Sequence, residues 1–368
     1  MLLGAIGVGL WPLFVWHVLD FYPATAHARL MIEGLMGAFI IGFLGTAGPR
    51  LLDARPLGGV EVATLFAMAL LSASLHVAQN QIAGDLVFLV LLLFFLGAMV
   101  TRARDARDLP PPHFVLVLLG FFSGIAGIFL TVAAKSMAEG TLANQLGSLM
   151  LNEGFVLFPI LGVGAFFFPK LLGGARPGPL DLQLAVALWG KRAAIAAVTG
   201  FVICGSFVME ALGWTRSAAV VRGVTTLWYF SARGRLFKKP SGSPFMAQCF
   251  RLGALLLVAG LLLPAALPTY RLANLHLTFI GGFTITLFTV STRVILGHSG
   301  DAHLLQQRLG FLTASLVLLV LAMLARVSAD FLPLERNSHL VYAGVIWLIA
   351  AAVWARALVP KLLIEGDE

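Results

Sequence analysis

The sequence predicts an all-α, polytopic membrane protein of about twelve transmembrane helices. Three observations carry that prediction. Hydrophobic residues make up 59% of the chain and charged residues only 11%, against about a quarter charged in soluble domains. The mean hydropathy is +0.94. The apolar runs are long and lack the strand alternation of an outer-membrane barrel, so the spans are helices. The net charge of +8 does not point to nucleic acid, because the basic residues fall in short loops between the runs.

The first run, 2–19, imitates a signal peptide and is followed by Ala24-Thr25-Ala26. It has no positively charged start and is long enough to span, so it reads as a retained helix. The second run, 28–48, opens just after His27. Pro56-Leu57-Gly58-Gly59 separates it from the third and fourth, 59–79 and 83–101. Pro110-Pro111-Pro112 introduces the fifth, 113–134, and the sixth covers 147–169. The segment from Gly173-Gly174 to Pro179 breaks the chain before 190–211 and 213–231. Ser241-Gly242-Ser243-Pro244 precedes the last four, 248–267, 272–296, 308–328 and 339–359. Such Gly- and Pro-rich stretches are turn signals. Lysine and arginine favour one set of alternate loops by roughly three to one, which places both termini in the cytoplasm.

The chain reads as a single transmembrane domain, 1–368, with an internal echo. Glu33-Gly34 precedes Pro49-Arg50-Leu51-Leu52 at the same interval as Glu153-Gly154 precedes Pro169-Lys170-Leu171-Leu172. The copies fall in the second and sixth spans, and the same step again lands on Ala273 at the start of the tenth. Twelve helices then form three four-helix units, about 1–112, 113–240 and 241–368.

This topology sorts the histidines by depth. His17, His27, His76, His276 and His339 lie at the outer level, and His113, His298 and His303 at the cytoplasmic one. Imidazole suits iron, copper and zinc, so His17, His27, His76 and His276 are candidate metal ligands. His27, Met31, Gly34 and Ala38 share one helix face, where small residues after two donor side chains leave room for a flat molecule. His27 and His276, on spans two and ten, are candidate axial ligands of a b-type haem. Arg29 and Arg271, close to them in the chain, and Arg216 are candidate propionate partners; anchoring to lipid phosphate explains the three arginines equally simply. Within spans, Glu33, Glu153, Glu210 and Arg222 are costly charges that need partners. Glu153 and Arg222 sit at similar depth, as an ion pair or a proton path. Cys204 and Cys249 lie in different spans and form neither CxxC nor CxxCH, so neither a disulfide nor covalent haem attachment is expected.

Two stretches resemble the NnrS family of haem- and copper-containing membrane proteins linked to nitric oxide stress. AHARLMIEGLMGAFIIGFLGTAGPR is similar to the family's H-x-H-E-M-x-x-G-F helix ending in T-A-x-P, with His27, Met31, Gly34, Gly42, Phe43, Thr46, Ala47 and Pro49 matching. HLTFIGGFTITLFTVSTRVILGHSG looks like the H-x-x-T-x-G…M-T-R-V-x-L-G-H-T-G helix, through His276, Thr292, Arg293, Val294, Leu296, Gly297, His298 and Gly300. Arg29 stands where the family pattern has its second histidine and Leu30 where it has glutamate. Phe129 and Leu130 stand near the outer end of span five, where a further histidine is expected. If those positions hold copper in relatives, this chain is a haem-only or differently liganded member, with His17 and His76 as compensating donors. The four-helix plan also has an architectural likeness to the haem–copper oxidase catalytic subunit, without that superfamily's adjacent-histidine copper motif.

The resemblance implies a haem b protein, with copper as a further cofactor, acting on nitric oxide or another small gas by redox or gas-ligand chemistry. It also implies residence in the bacterial inner membrane and an electron donor such as quinol. Two other classes stay open: a secondary transporter built on the repeats and buried charges, and an assembly factor that handles haem or copper.

Overall fold

The computed structural model describes residues 1–106, 109–137, 140–171, 186–239 and 243–362. The predicted turns at Gly173–Pro179 and Ser241-Gly242, together with Arg107, fall outside the described residues. Among the described residues the regular structure is entirely helical, and ten helices are long and apolar enough to cross a membrane. They are α2 (Ala24–Leu51), α3 (Gly59–Val77), α4 (Gln81–Arg104), α5 (Phe114–Ala134), α6 (Thr141–Pro169), α7 (Val186–Ala211), α9 (Pro244–Ala266), α10 (Arg271–His298), α11 (Gly310–Ser328) and α12 (Pro333–Leu362). Two predicted spans differ. The first, α1 (Leu2–Val15), has 14 residues and is short for a bilayer. The eighth, α8 (Thr215–Ala232), carries Arg216 and Arg222 within its 18 residues, which lowers its hydropathy.

Local chemistry sets the helix starts. Glu61 accepts from the Gly58 N–H at 2.7 Å at the head of α3. The Asn80 side chain caps α4 through Ala83 N at 3.4 Å. Ser243 caps α9, with Pro244 in its first turn, where a missing N–H costs nothing.

Three helices change pitch. α2 is π-helical over Leu30–Met36, α6 over Met150–Gly154 and α10 over Leu277–Thr284. The Glu33-Gly34 and Glu153-Gly154 echo falls inside the first two of these turns. A π turn inserts an extra residue and re-aims the side chains around it. Both glutamates end up buried.

α2, α6 and α10 also share an apolar crevice of about 360 Å³, lined by Phe39, Phe43, Ile160, Phe167, Phe283 and Val290 among others. It lies in the half of these helices that leads to Arg50 and His298. Around them α5 packs on α6, α9 on α10, and α1 between α2 and α12. In the Phe166-Phe167-Phe168 run, Phe167 and Phe168 both line the crevice, and Phe168 is buried against Phe230 and Phe250.

Candidate metal centre

The first turn of α2 and the last residue of the opening turns of α10 bring two imidazoles together. The His27 and His276 ring centroids are 6.4 Å apart and their planes differ by 19°. Two imidazoles bound on opposite sides of one metal at about 2 Å each have centroids about 6 Å apart, close to the spacing here. His27 Nδ1 lies 2.9 Å from the Gly7 carbonyl on α1. His276 Nδ1 lies 2.7 Å from the Leu272 carbonyl one turn earlier in α10. A carbonyl only accepts, so each Nδ1 carries a proton, and in the neutral ring each Nε2 keeps its lone pair. This is the tautomer a metal requires, fixed by an outer hydrogen bond.

The two rings are half-buried. Trp11 packs edge-on against His27 with centroids 6.1 Å apart, and Phe279 against His276 at 6.3 Å. Arg326 is buried near the end of α11, the helix that packs on the opening turns of α10. Asp330 holds its guanidinium at 3.2 Å.

The face of α2 that carries Met31 and Gly34 is taken up by α1 rather than left as a slot. A Cβ on Gly34 would sit 3.1 Å from Leu3, and the Met31 sulfur lies 3.4 Å from where a Gly7 Cβ would be. Gly7 itself is needed for this approach: its Cβ would meet Leu30 at 2.9 Å. Without a side chain there, α1 comes near enough for the Gly7 carbonyl to reach His27.

Arg29 and His76 lead elsewhere. Arg29 Nε and Nη2 donate to Asp85 at 2.6 and 3.2 Å, and Nε is 3.3 Å from Glu33. That guanidinium is committed to two carboxylates rather than left for a propionate. His76 Nε2 is 3.0 Å from Glu33 Oε2 and 3.8 Å from Asp85 Oδ1. One ligand atom from each of Glu33, His76 and Asp85 falls within 4.8 Å of the others, a geometry able to hold a metal ion. Gly84 makes room for the ring: a Cβ there would lie 2.5 Å from His76 Cε1.

His17 is exposed on the α1–α2 loop, with φ of 58°. Arg271 is half-exposed, 3.9 Å from Glu210. Glu210 and Glu153 both bind Arg222, whose guanidinium lies 4.8 Å from the centre of the Phe207 ring. The depth-matched pair Glu153–Arg222 is therefore an ion pair, extended by a second carboxylate.

Two functional candidates escaped the sequence reading. Asp85 was legible as a carboxylate at the third residue of the fourth apolar run, where a charge needs a reason. Arg326 lies two residues before the end of the eleventh apolar run, where a basic residue also reads as a loop charge.

The model of the NnrS family, described as NnrS protein, matches residues 1–365. The chain belongs to the NnrS family. No curated protein matches it. In this NnrS chain the two motif-bearing stretches are α2 and α10, the helices that carry His27 and His276. The far end of the second motif is separate: α10 stops at His298, Gly300 takes a left-handed φ of 76°, and Arg50 lies 3.3 Å from His298 Nδ1.

Proposed function

We propose that this NnrS-family membrane protein binds haem b between His27 and His276 and acts in nitric oxide or nitrosative-stress metabolism. The observation that carries the reading is the near-parallel ring pair at 6.4 Å with both Nδ1 atoms hydrogen-bonded to backbone carbonyls. Haem, when bound, would supply a redox-active iron; held by both imidazoles it would exchange electrons, and a diatomic gas would bind only in place of one of them.

The chain's own residues do the rest. The Gly7 and Leu272 carbonyls orient the rings and raise the basicity of each Nε2. Trp11 and Phe279 restrict water. Arg326 is the cation we assign to a propionate, in place of Arg29. A bare copper ion is the alternative occupant of the same two imidazoles. The crevice shared by α2, α6 and α10 is apolar, which does not support carriage of a polar substrate through the bundle centre.

The absorption spectrum of protein purified from haem-replete cells tests this reading. A Soret band supports it, and a shift of that band when nitric oxide is added to the reduced protein shows that the gas displaces one imidazole. A colourless preparation overturns haem, and copper without haem in metal analysis points to the alternative occupant.

A further inference from the structure

The cluster between α2, α3 and α4 has an unusual hydrogen-bond inventory. Its side chains are almost fully enclosed, with Glu33 at 3%, His76 at 1% and Asp85 at 1% exposure. Gln81 Nε2 donates to the His76 carbonyl at 3.3 Å, which leaves Gln81 Oε1 to face His76 Nδ1 at 2.8 Å. An amide oxygen only accepts, so Nδ1 carries a proton. The other ring nitrogen, Nε2, then faces a carboxylate oxygen of Glu33 at 3.0 Å. A lone pair against a carboxylate repels, so a positive particle must lie between them: a second proton or a metal ion. Glu33 Oε1 makes no hydrogen bond although it is buried. Arg29 Nε lies 3.3 Å from it.

Charge accounting gives the same answer. Each buried carboxylate needs a cation or a proton beside it. Arg29 and one proton shared between Glu33 and His76 Nε2 meet that need; a divalent cation at the triad would meet it equally. The two solutions exclude each other. A dication bound to Asp85 Oδ1 would sit beside the guanidinium that donates to that same oxygen at 2.6 Å, and like charges repel strongly in a low-dielectric interior.

We propose that Glu33, His76 and Asp85 form a divalent-cation triad, and that Arg29 decides its occupancy by standing in for the metal. The wild-type chain therefore keeps this triad metal-free. Removing the guanidinium opens it to a divalent first-row cation. Histidine at position 29 supplies a fourth donor from the same turn of α2. The inference does not depend on what His27 and His276 hold.

The test uses the full chain in detergent with Mn²⁺ as the probe, because carboxylate-rich sites accept Mn²⁺ and its EPR signal separates free from bound ion. Wild type should leave the free-ion signal unchanged. Arg29→His should remove about one equivalent of Mn²⁺ per chain, Arg29→Gln should do so more weakly, and adding His76→Ala to Arg29→His should abolish binding. The wild-type measurement is informative even if a variant fails to fold. Wild-type binding that His76→Ala abolishes overturns the proposal, as does a folded Arg29→His protein that binds no Mn²⁺.

Discussion

The His276 ring lies 6.4 Å from the His27 ring and 19° from parallel to it, although the two residues lie far apart in the chain. Each is steered by a backbone carbonyl, one from a neighbouring helix and one from its own. The pair therefore depends on how α1 is seated as well as on α2 and α10.

That dependence predicts an effect at a position without a donor atom. Gly7→Val places a side chain where a Cβ already meets Leu30 at 2.9 Å. α1 must back away, and the His27 hydrogen bond is lost with it. Loss of an outer-shell partner lowers metal affinity by about 10–100-fold. Haem retained after gel filtration should fall in Gly7→Val and stay near wild type in Gly9→Ala, where a Cβ meets nothing within 4 Å.

Gly84 tests the packing of the second cluster. A methyl group there collides with the His76 ring at 2.5 Å, and overpacking of this kind costs about 1–3 kcal/mol. Thermal unfolding in detergent should show a clear drop for Gly84→Ala. Gly97→Ala, with open space around its Cβ, should show little change.

Arg222 holds two carboxylates, Glu153 and Glu210. Arg222→Met strands both, and breaking a buried pair costs about 3–5 kcal/mol. Adding Glu153→Gln and Glu210→Gln removes the stranded charges, so the triple variant should recover much of the stability. Equal unfolding temperatures for the single and triple variants would contradict this assignment.

At the opposite end of the bundle, Lys361 hydrogen-bonds Asp301 and holds its carboxyl below the usual carboxylate range, with a weaker contribution from Ser299. A carboxyl depressed by folding stabilises the folded state above its unfolded value and loses that contribution as pH falls through the folded one. The tether between the loop after α10 and the end of α12 should therefore loosen only below about pH 4. Hydrogen-exchange protection of Ala302–Gln306 should decline in that window in wild type. Asp301→Asn should be less protected at neutral pH and flat through the acid range.

Much of this architecture was legible in the residues, for identifiable reasons. Long apolar runs have few alternatives to helices in lipid, and Gly-Pro stretches mark their ends. Histidines at the mouths of two helices could be set at one level, and the equal depth of Glu153 and Arg222 could be counted from helix rise. What a helical face meets could not be read. The Met31–Gly34 face looked open to a ligand because periodicity shows that a face exists, not which neighbour covers it; here α1 does. Arg29 looked like a propionate partner by proximity to His27 in the chain. On the helix it points with Glu33, four residues on, into the cluster with Asp85. The π turns that bury Glu33 and Glu153 left a sequence trace only as the Glu-Gly echo. The division into three four-helix units is our proposal from that echo and the third π turn in α10.

The most direct measurement is the haem content and absorption spectrum of wild type, His27→Ala and His276→Ala, purified side by side from haem-replete cells. The account predicts a Soret band in wild type that is lost or greatly diminished in both variants while their helical content is preserved. Undiminished haem in both folded variants, or no haem in wild type, would contradict it.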